Sequence, residues 1–185
     1  MSSVVNIEQS TFIKGRQILD GPMMLNEIVG WSKARKRELM VFKVDFEKAY
    51  DSLSWEYLFE VMGLMGFGHK WSSWIRALLT SVRASVMVNG SPTNEFIVHR
   101  GLRHLSPFLF ILAMEGLHMA MQQAREANVF RGIQIGGDGA EVSHFFYADD
   151  AVFLCDWSLE NAKRILRILR CFFFGLWSQN QLTQK

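Results

Sequence analysis

The spacing of apolar positions divides the chain into helical and extended segments. Apolar residues recur at helical intervals over 24–31, and a mostly apolar run over 39–46, which contains Lys43 and Asp45, predicts a buried strand. Ser54 is placed to cap the start of a helix that Gly66 would end, and a second helix with helical apolar spacing follows over 71–79. The first half is therefore predicted as helix, strand and two helices.

The second half continues the same alternation. An Asn-Gly pair at 89–90 between two apolar stretches predicts a hairpin, and Ser-Pro at the start of 106–128 predicts the longest helix. A second hairpin is expected around 148–150, before a last helix over 158–170. This order predicts a single α+β domain, with an antiparallel sheet and helices packed on one face.

Composition narrows the class of protein only modestly. Of the 185 residues, 49% are hydrophobic and 21% are charged, which is typical of a globular protein and argues against disorder. The net charge of +2 neither favours nor excludes a nucleic-acid partner. Two cysteines and the lack of a secretory signal or membrane-spanning run predict an intracellular protein, cytoplasmic and/or nuclear, that is not secreted.

Three carboxylates lie next to the predicted strands. Asp45 stands near the end of the apolar run, and Asp149 and Asp150 occupy the second hairpin. If the two strands are neighbours, Asp45 and Asp149 converge at one edge of the sheet, and oxygen ligands without nearby His or Cys favour Mg²⁺ or Mn²⁺. The alternative is that the Asp-Asp pair is only a polar turn, because acids are common in turns.

Sequence motifs around these carboxylates resemble a known family. Residues 145–154 read Phe-Phe-Tyr-Ala-Asp-Asp-Ala-Val-Phe-Leu, which is similar to the Tyr-x-Asp-Asp box of reverse transcriptases. Residues 42–52 read Phe-Lys-Val-Asp-Phe-Glu-Lys-Ala-Tyr-Asp-Ser, which resembles the first catalytic motif of the LINE-type enzymes. Further matches lie at 12–18, 88–90 and 100–110, excluding 104. The chain thus resembles the reverse transcriptase of non-LTR (LINE-type) retrotransposons of the plant type.

The resemblance implies a reaction and a set of site residues. The expected activity is RNA-directed DNA polymerisation, in which two Mg²⁺ or Mn²⁺ ions assist transfer of a dNTP to a primer 3′-hydroxyl on an RNA template. By similarity, the catalytic residues are Asp45, Asp149 and Asp150, and the metal ligands are these three with Phe46, through its backbone carbonyl. Nucleotide binding is implied for Phe46, Glu47, Lys48, Ala49 and Tyr50, and template or primer contact for Lys14, Arg16, Arg103, His104 and Tyr147. No membrane and no stable protein partner are expected.

Some of these residues have a second interpretation. Tyr50 is expected to exclude the 2′-hydroxyl of a ribonucleotide, but it could instead be a core aromatic next to a strand. Lys14 and Arg16 could contact phosphate, or could be solvated surface charges.

The chain departs from the family pattern in one motif. The family reads Gly-Leu-Arg-Gln-Gly-Asp-Pro-Leu-Ser-Pro, whereas here Gly101-Leu102-Arg103 is followed by His104 and then Leu-Ser-Pro. A His cannot reproduce the flat donor and acceptor pair of a Gln amide. The shortened loop should lie beside the nascent base pair, so we expect impaired activity.

The resemblance also predicts how the chain is divided. We expect a partial fingers segment at 1–38, the palm of a reverse transcriptase at 39–172 and a divergent tail at 173–185, without a thumb or an endonuclease domain. The competing interpretations are a catalytically inactive retrotransposon remnant and a nucleic-acid-binding relic. Both would keep the fold without primer extension.

Overall fold

The structure, a computed structural model, describes residues 5, 15, 17, 19–46, 49–102, 107–136, 140–147 and 150–176. The helices in this part are α1 Asp20–Ala34, α2 Ala49–Ser52, α3 Trp55–Leu64, α4 His69–Thr80, α5 Pro107–Glu126 and α6 Leu159–Leu176. The strands are β1 Leu39–Asp45, β2 Arg83–Ala84, β3 Met87–Val88, β4 Ser91–Pro92, β5 Phe96–Ile97, β6 Ile133–Ile135, β7 Ala140–Val142, β8 His144–Tyr147 and β9 Asp150–Asp156.

A three-stranded antiparallel sheet is the centre of the fold. Its strand order is β1-β9-β8, so β9 is the middle strand and β1 lies at an edge. The register between β1 and β9 pairs Leu39 with Asp156 at one end and Asp45 with Asp150 at the other. The two strands that carry the predicted catalytic carboxylates are therefore direct neighbours.

The main core lies on one face of this sheet. Three helices, α3, α5 and α6, cover it and bury large side chains such as Leu58, Leu117 and Ile165 against Phe153 of β9. Burying one such side chain stabilises the fold by about 1.5–3 kcal/mol, so this layer is the main source of stability. The α+β class with helices against an antiparallel sheet is confirmed.

Helix α1 occupies the opposite face of the sheet. Ile28 of α1 is buried there together with Phe145 of β8 and with Val152 and Leu154 of β9. The predicted packing on a single face thus describes α3, α5 and α6, and α1 is the exception. Because α1 lies over β8, it leaves the same face of the edge strand β1 largely exposed.

The prediction of a buried strand over 39–46 is wrong for one face of β1. Met40 is buried in the main core, whereas Val41, Lys43 and Asp45 are exposed on the other side. Successive side chains of a strand point to opposite faces, so the three exposed residues share one face. This face of β1 is accessible to solvent at the site of the predicted chemistry.

Several element boundaries were predicted correctly from local signals. The Ser54 hydroxyl accepts a hydrogen bond from the backbone amide of Tyr57 and so caps α3. Asn89 and Gly90 both adopt positive φ, and they connect β3 and β4 as a tight hairpin. The last helix, in contrast, extends to Leu176 rather than ending near Arg170.

Within the ranges given above, no helix combines the length and apolar character that crossing a membrane requires.

Candidate active site

The carboxylates of Asp45 and Asp150 lie at one end of the central sheet. Asp45 is the last residue of β1, Asp150 is the first residue of β9, and the two are partners in the antiparallel register. Directly opposed residues of such a pair project to the same face, with Cβ atoms roughly 4.5–5.5 Å apart. The structure therefore brings together two of the three predicted catalytic residues, and the third, Asp149, lies outside the described residues.

A lysine completes this group of charges. The ammonium of Lys43 lies 2.8 Å from Oδ2 of Asp150, and the side chains are 60% and 31% exposed. Lys43 precedes Asp45 by two residues on the same exposed face of β1. Sequence reasoning missed this contact, although the two-residue spacing from Asp45 was a usable signal.

The segment after β1 packs into the core beside the carboxylates. The side chain of Phe46 is buried and meets Phe172 of α6 edge to face, with ring centroids 5.7 Å apart. The ring of Tyr50 is half-buried, and its centroid lies 4.7 Å from the ring centroid of Phe110 in α5. Tyr50 thus packs against the core, as expected if it is a core aromatic next to a strand. Part of its surface nevertheless stays accessible to solvent.

The chain at Gly101 holds the position of Tyr50. The amide of Leu102 donates to the carbonyl of Tyr50, and the amide of Gly101 donates to the carbonyl of Leu53. The indole Nε1 of Trp55 donates in turn to the carbonyl of Gly101 at 2.9 Å. Gly101 and Leu102 begin the motif that departs from the family pattern. These hydrogen bonds attach them to the turn between α2 and α3.

Tyr147, predicted to contact template or primer, ends β8 opposite Asp150. Its ring packs against Gly21 of α1 so closely that a Cβ at Gly21 would overlap it. The hydroxyl is buried and has no hydrogen-bond partner among the described residues. Burial, together with the negative charge of Asp150, raises the pKa of Tyr147 to about 12, so the phenol is protonated at neutral pH.

The remaining predicted site residues are described in part or not at all. Ala49 begins α2, and only its backbone is described. The other residues outside the described ranges are Lys14, Arg16, Glu47, Lys48, Arg103 and His104. Their predicted roles stay predictions.

The donor chemistry at the sheet edge fits a hard divalent cation. Asp45 and Asp150 offer carboxylate oxygens at an accessible edge, which is the ligand type that Mg²⁺ and Mn²⁺ prefer. Across the described ranges, no three His, Cys, Asp or Glu side chains gather closely enough to hold an ion. A site with a third carboxylate would need Asp149, which adjoins Asp150 in the sequence.

A buried polar cluster lies between the sheet and α5, and it was not predicted from the sequence. The Nδ1 atom of His118 in α5 is 2.9 Å from Nε2 of His144 in β8, and the Ser143 hydroxyl is 2.8 Å from Nδ1 of His144. Burial lowers the pKa of His144 to about 3, with smaller contributions from His118 and Arg125. The neutral ring links α5 to the strand that ends in Tyr147.

Comparisons with known proteins place the chain in a family. Residues 2–174 match the family described as reverse transcriptase (RNA-dependent DNA polymerase). The chain is 24% identical, over 83% of its length, to an uncharacterized 149 kDa protein of transposon TX1 from Xenopus laevis. It is 26% identical, over 77% of its length, to a retrovirus-related Pol polyprotein from the type-1 retrotransposable element R2 of Popillia japonica.

A shorter match is 36% identical over 35% of the chain, to an uncharacterized mitochondrial protein of Arabidopsis thaliana. The matched regions span 12% of the transposon TX1 protein, 20% of the R2 polyprotein and 55% of the mitochondrial protein. The paired carboxylates at the sheet edge, the family match over nearly the whole chain and the retrotransposon relatives agree with one another. The chain belongs to the reverse transcriptase (RNA-dependent DNA polymerase) family, as a reverse transcriptase domain of the non-LTR retrotransposon type.

Proposed function

We propose that this domain catalyses RNA-directed DNA synthesis at the edge formed by β1 and β9. The observation that carries the proposal is the register that sets Asp45 opposite Asp150. Two carboxylates at adjacent strand ends offer the oxygen ligands for divalent ions, and reverse transcriptases act on a nucleic-acid template and primer with nucleotide substrates. In the proposed reaction the primer 3′-oxygen bonds to the α-phosphorus of a dNTP, the bond to the β-phosphate breaks and pyrophosphate leaves.

The proposed metal ligands are Asp45, Asp149 and Asp150, together with the backbone carbonyl of Phe46. When bound, Mg²⁺ or Mn²⁺ ions would activate the attacking hydroxyl and stabilise the leaving group. The protein would hold the carboxylates in place through the rigid β1–β9 pairing and through the buried ring of Phe46. Such fixed geometry lowers the barrier because the reacting groups need no further ordering.

The incoming nucleotide is proposed to bind beside residues 46–50. Tyr50 would exclude a ribonucleotide by steric contact with its 2′-hydroxyl. The ring contact with Phe110 and the backbone hydrogen bond to Leu102 support this role, because they limit the motion of Tyr50. Glu47 and Lys48 are assigned to the same pocket by the family resemblance alone.

Template and primer contacts are proposed for Lys14, Arg16, Arg103 and His104 from the resemblance. The buried hydroxyl of Tyr147 supports a packing role instead, in which the ring holds the start of β9 against α1. The division into partial fingers, palm and tail, and a location inside the cell, are proposals on the same basis.

Primer extension tests the proposed activity. The full chain is incubated with an RNA template, a DNA primer, dNTPs and Mg²⁺ or Mn²⁺. Asp45→Asn and Asp150→Asn should each lower extension by on the order of 100-fold or more, because loss of an outer-sphere partner alone typically costs 10–100-fold. Glu126→Gln, which removes an exposed carboxylate at the end of α5, is the matched control and should be unchanged.

Two results would contradict the proposal. If the Asp45→Asn variant still extends the primer as the wild type does, the carboxylate pair does not carry out the chemistry. Salt-sensitive RNA binding without any extension, unchanged in Asp149→Ala, would indicate a binding module rather than a polymerase.

A further inference from the structure

Lys43 lies beside two negatively charged residues, Asp45 and Asp150, that the strand pairing brings together. Asp45 and Asp150 are directly opposed across β1 and β9, and like charges in that position destabilise a sheet. The Lys43 ammonium lies 2.8 Å from Asp150 and projects from the same face of β1 as Asp45. A positive charge thus lies within the carboxylate group.

The register explains why this contact forms. Lys43 is paired with Val152, which is two residues along β9 from Asp150, so the lysine reaches its carboxylate diagonally. Diagonal neighbours on one face of an antiparallel pair are within reach of long side chains. The position of Lys43 is therefore set by the same pairing that sets the two carboxylates opposite each other.

We propose that Lys43 is a built-in counter-ion of this carboxylate pair, and that a divalent cation must displace its ammonium from Asp150 to bind. The inference rests on the proposed function, because it concerns the loading of the same metal site. Lys43 acts here as a positioning residue. It lowers the repulsion between Asp45 and Asp150 in the metal-free fold, and it competes with the ion for the same oxygen.

Two consequences follow for a variant that lacks the charge. In Lys43→Met the metal-free protein keeps the repulsion without its counter-ion, so it should unfold at a lower temperature than the wild type. The ion no longer has to displace an ammonium, so it should bind more tightly. An ion pair with this exposure contributes weakly, and its removal predicts a dissociation constant for Mn²⁺ that is about two- to fivefold lower.

The test measures Mn²⁺ binding by electron paramagnetic resonance, and thermal unfolding with EDTA or Mn²⁺, on the full chain without nucleic acid. Lys43→Met should show the tighter binding and a larger Mn²⁺-induced rise in Tm than the wild type. Lys43→Arg, which keeps the charge, should behave like the wild type. Lys163→Met removes an exposed lysine from α6 and serves as the control for net charge.

Asp45→Asn separates this inference from the proposed function. If Asp45→Asn lowers Mn²⁺ affinity while Lys43→Met binds as the wild type does, the metal site stands and the counter-ion role is overturned. Weaker binding in Lys43→Met would also overturn it, because the lysine would then assist the ion. If Asp45→Asn leaves Mn²⁺ binding unchanged, the metal site itself is refuted. Lys43→Gln replaces the Met variant if the latter does not fold.

Discussion

Gly101 combines a left-handed backbone conformation with close backbone neighbours, so it has little freedom to accept a side chain. Its φ is +87°, in the left-handed region that side chains disfavour. A Cβ there would also lie 2.7 Å from the carbonyl oxygen of Asp51 and 3.0 Å from that of Tyr50, and both of these contacts are to backbone. Gly101→Ala therefore combines conformational strain with a clash that no side-chain rotation can relieve.

The magnitude follows from these two contributions. The left-handed conformation costs an alanine about 1–2 kcal/mol. Moving the segment to relieve the clash would weaken its hydrogen bonds to Leu53, Tyr50 and Trp55, and one buried group left without a partner costs about 1–3 kcal/mol. We expect Gly101→Ala to lower the free energy of unfolding by about 3–4 kcal/mol.

Gly66→Ala is the matched control for the strain. Gly66 has a φ of +80° after α3, and a Cβ there would meet nothing within 4 Å. Gly66→Ala should lower the free energy of unfolding only by the about 1–2 kcal/mol that the left-handed conformation costs. Both variants lose the same chain freedom in the unfolded state, so that effect cancels in the comparison. The difference of about 2 kcal/mol isolates the clash with the turn at Tyr50 and Asp51.

Urea unfolding, followed by tryptophan fluorescence, measures both variants. With a urea dependence of about 2 kcal/mol/M, the midpoint of Gly101→Ala should lie about 1 M below that of Gly66→Ala. Equal midpoints would refute the reasoning, because they would mean that the segment moves away from the turn without loss of stability.

Three further predictions concern pH, the proposed nucleotide pocket and the altered motif. The pKa of His144 is about 3 in the folded protein, below its ordinary value of 6.5. As pH falls, the unfolded chain therefore takes up the proton first, so the free energy of unfolding decreases below about pH 6.5. The loss should reach about 2 kcal/mol at pH 5 in urea unfolding, and His144→Gln should flatten this slope. Tyr50→Val should raise ribonucleotide incorporation in primer extension by about tenfold or more, since steric exclusion of one group is worth about 1–3 kcal/mol; unchanged discrimination would leave Tyr50 as a core aromatic. Replacing His104 with Gln-Gly-Asp-Pro should raise extension by about 100-fold, because small misplacements at a reacting centre cost that much, and no gain would show that the loop is not the defect.

Much of the local structure could be predicted because its causes are local. The hydroxyl of Ser54 satisfies an amide three residues ahead, and Asn89 with Gly90 tolerates the positive φ of a tight hairpin. The juxtaposition of Asp45 with the Asp-Asp turn was also predictable, but only on the assumption that their strands are neighbours. The register of β1 and β9 confirms that assumption.

Other parts of the site depend on contacts between distant segments. Hydrophobic alternation shows which residues of a strand share a face, but it does not show which face another element covers. The strand β1 was therefore predicted as buried, whereas α1 packs over β8 and leaves Lys43 and Asp45 accessible. The contact of Tyr147 with Gly21 and the pairing of His118 with His144 join residues far apart in the chain, and no local pattern indicates them.

The sequence by itself determined the order of the longer helices and of the strands that carry the two acidic motifs, and it determined the family, because each is written in short runs of neighbouring residues. It did not indicate the short helix α2 or the β6–β7 hairpin. Only the tertiary structure decided that Asp45 and Asp150 share a register, that Lys43 neutralises one of them and that Tyr50 packs on Phe110. The physical reason is that charge pairing and ring packing act over a few ångströms in space. Which residues come that close is decided by how the sheet and helices pack as a whole.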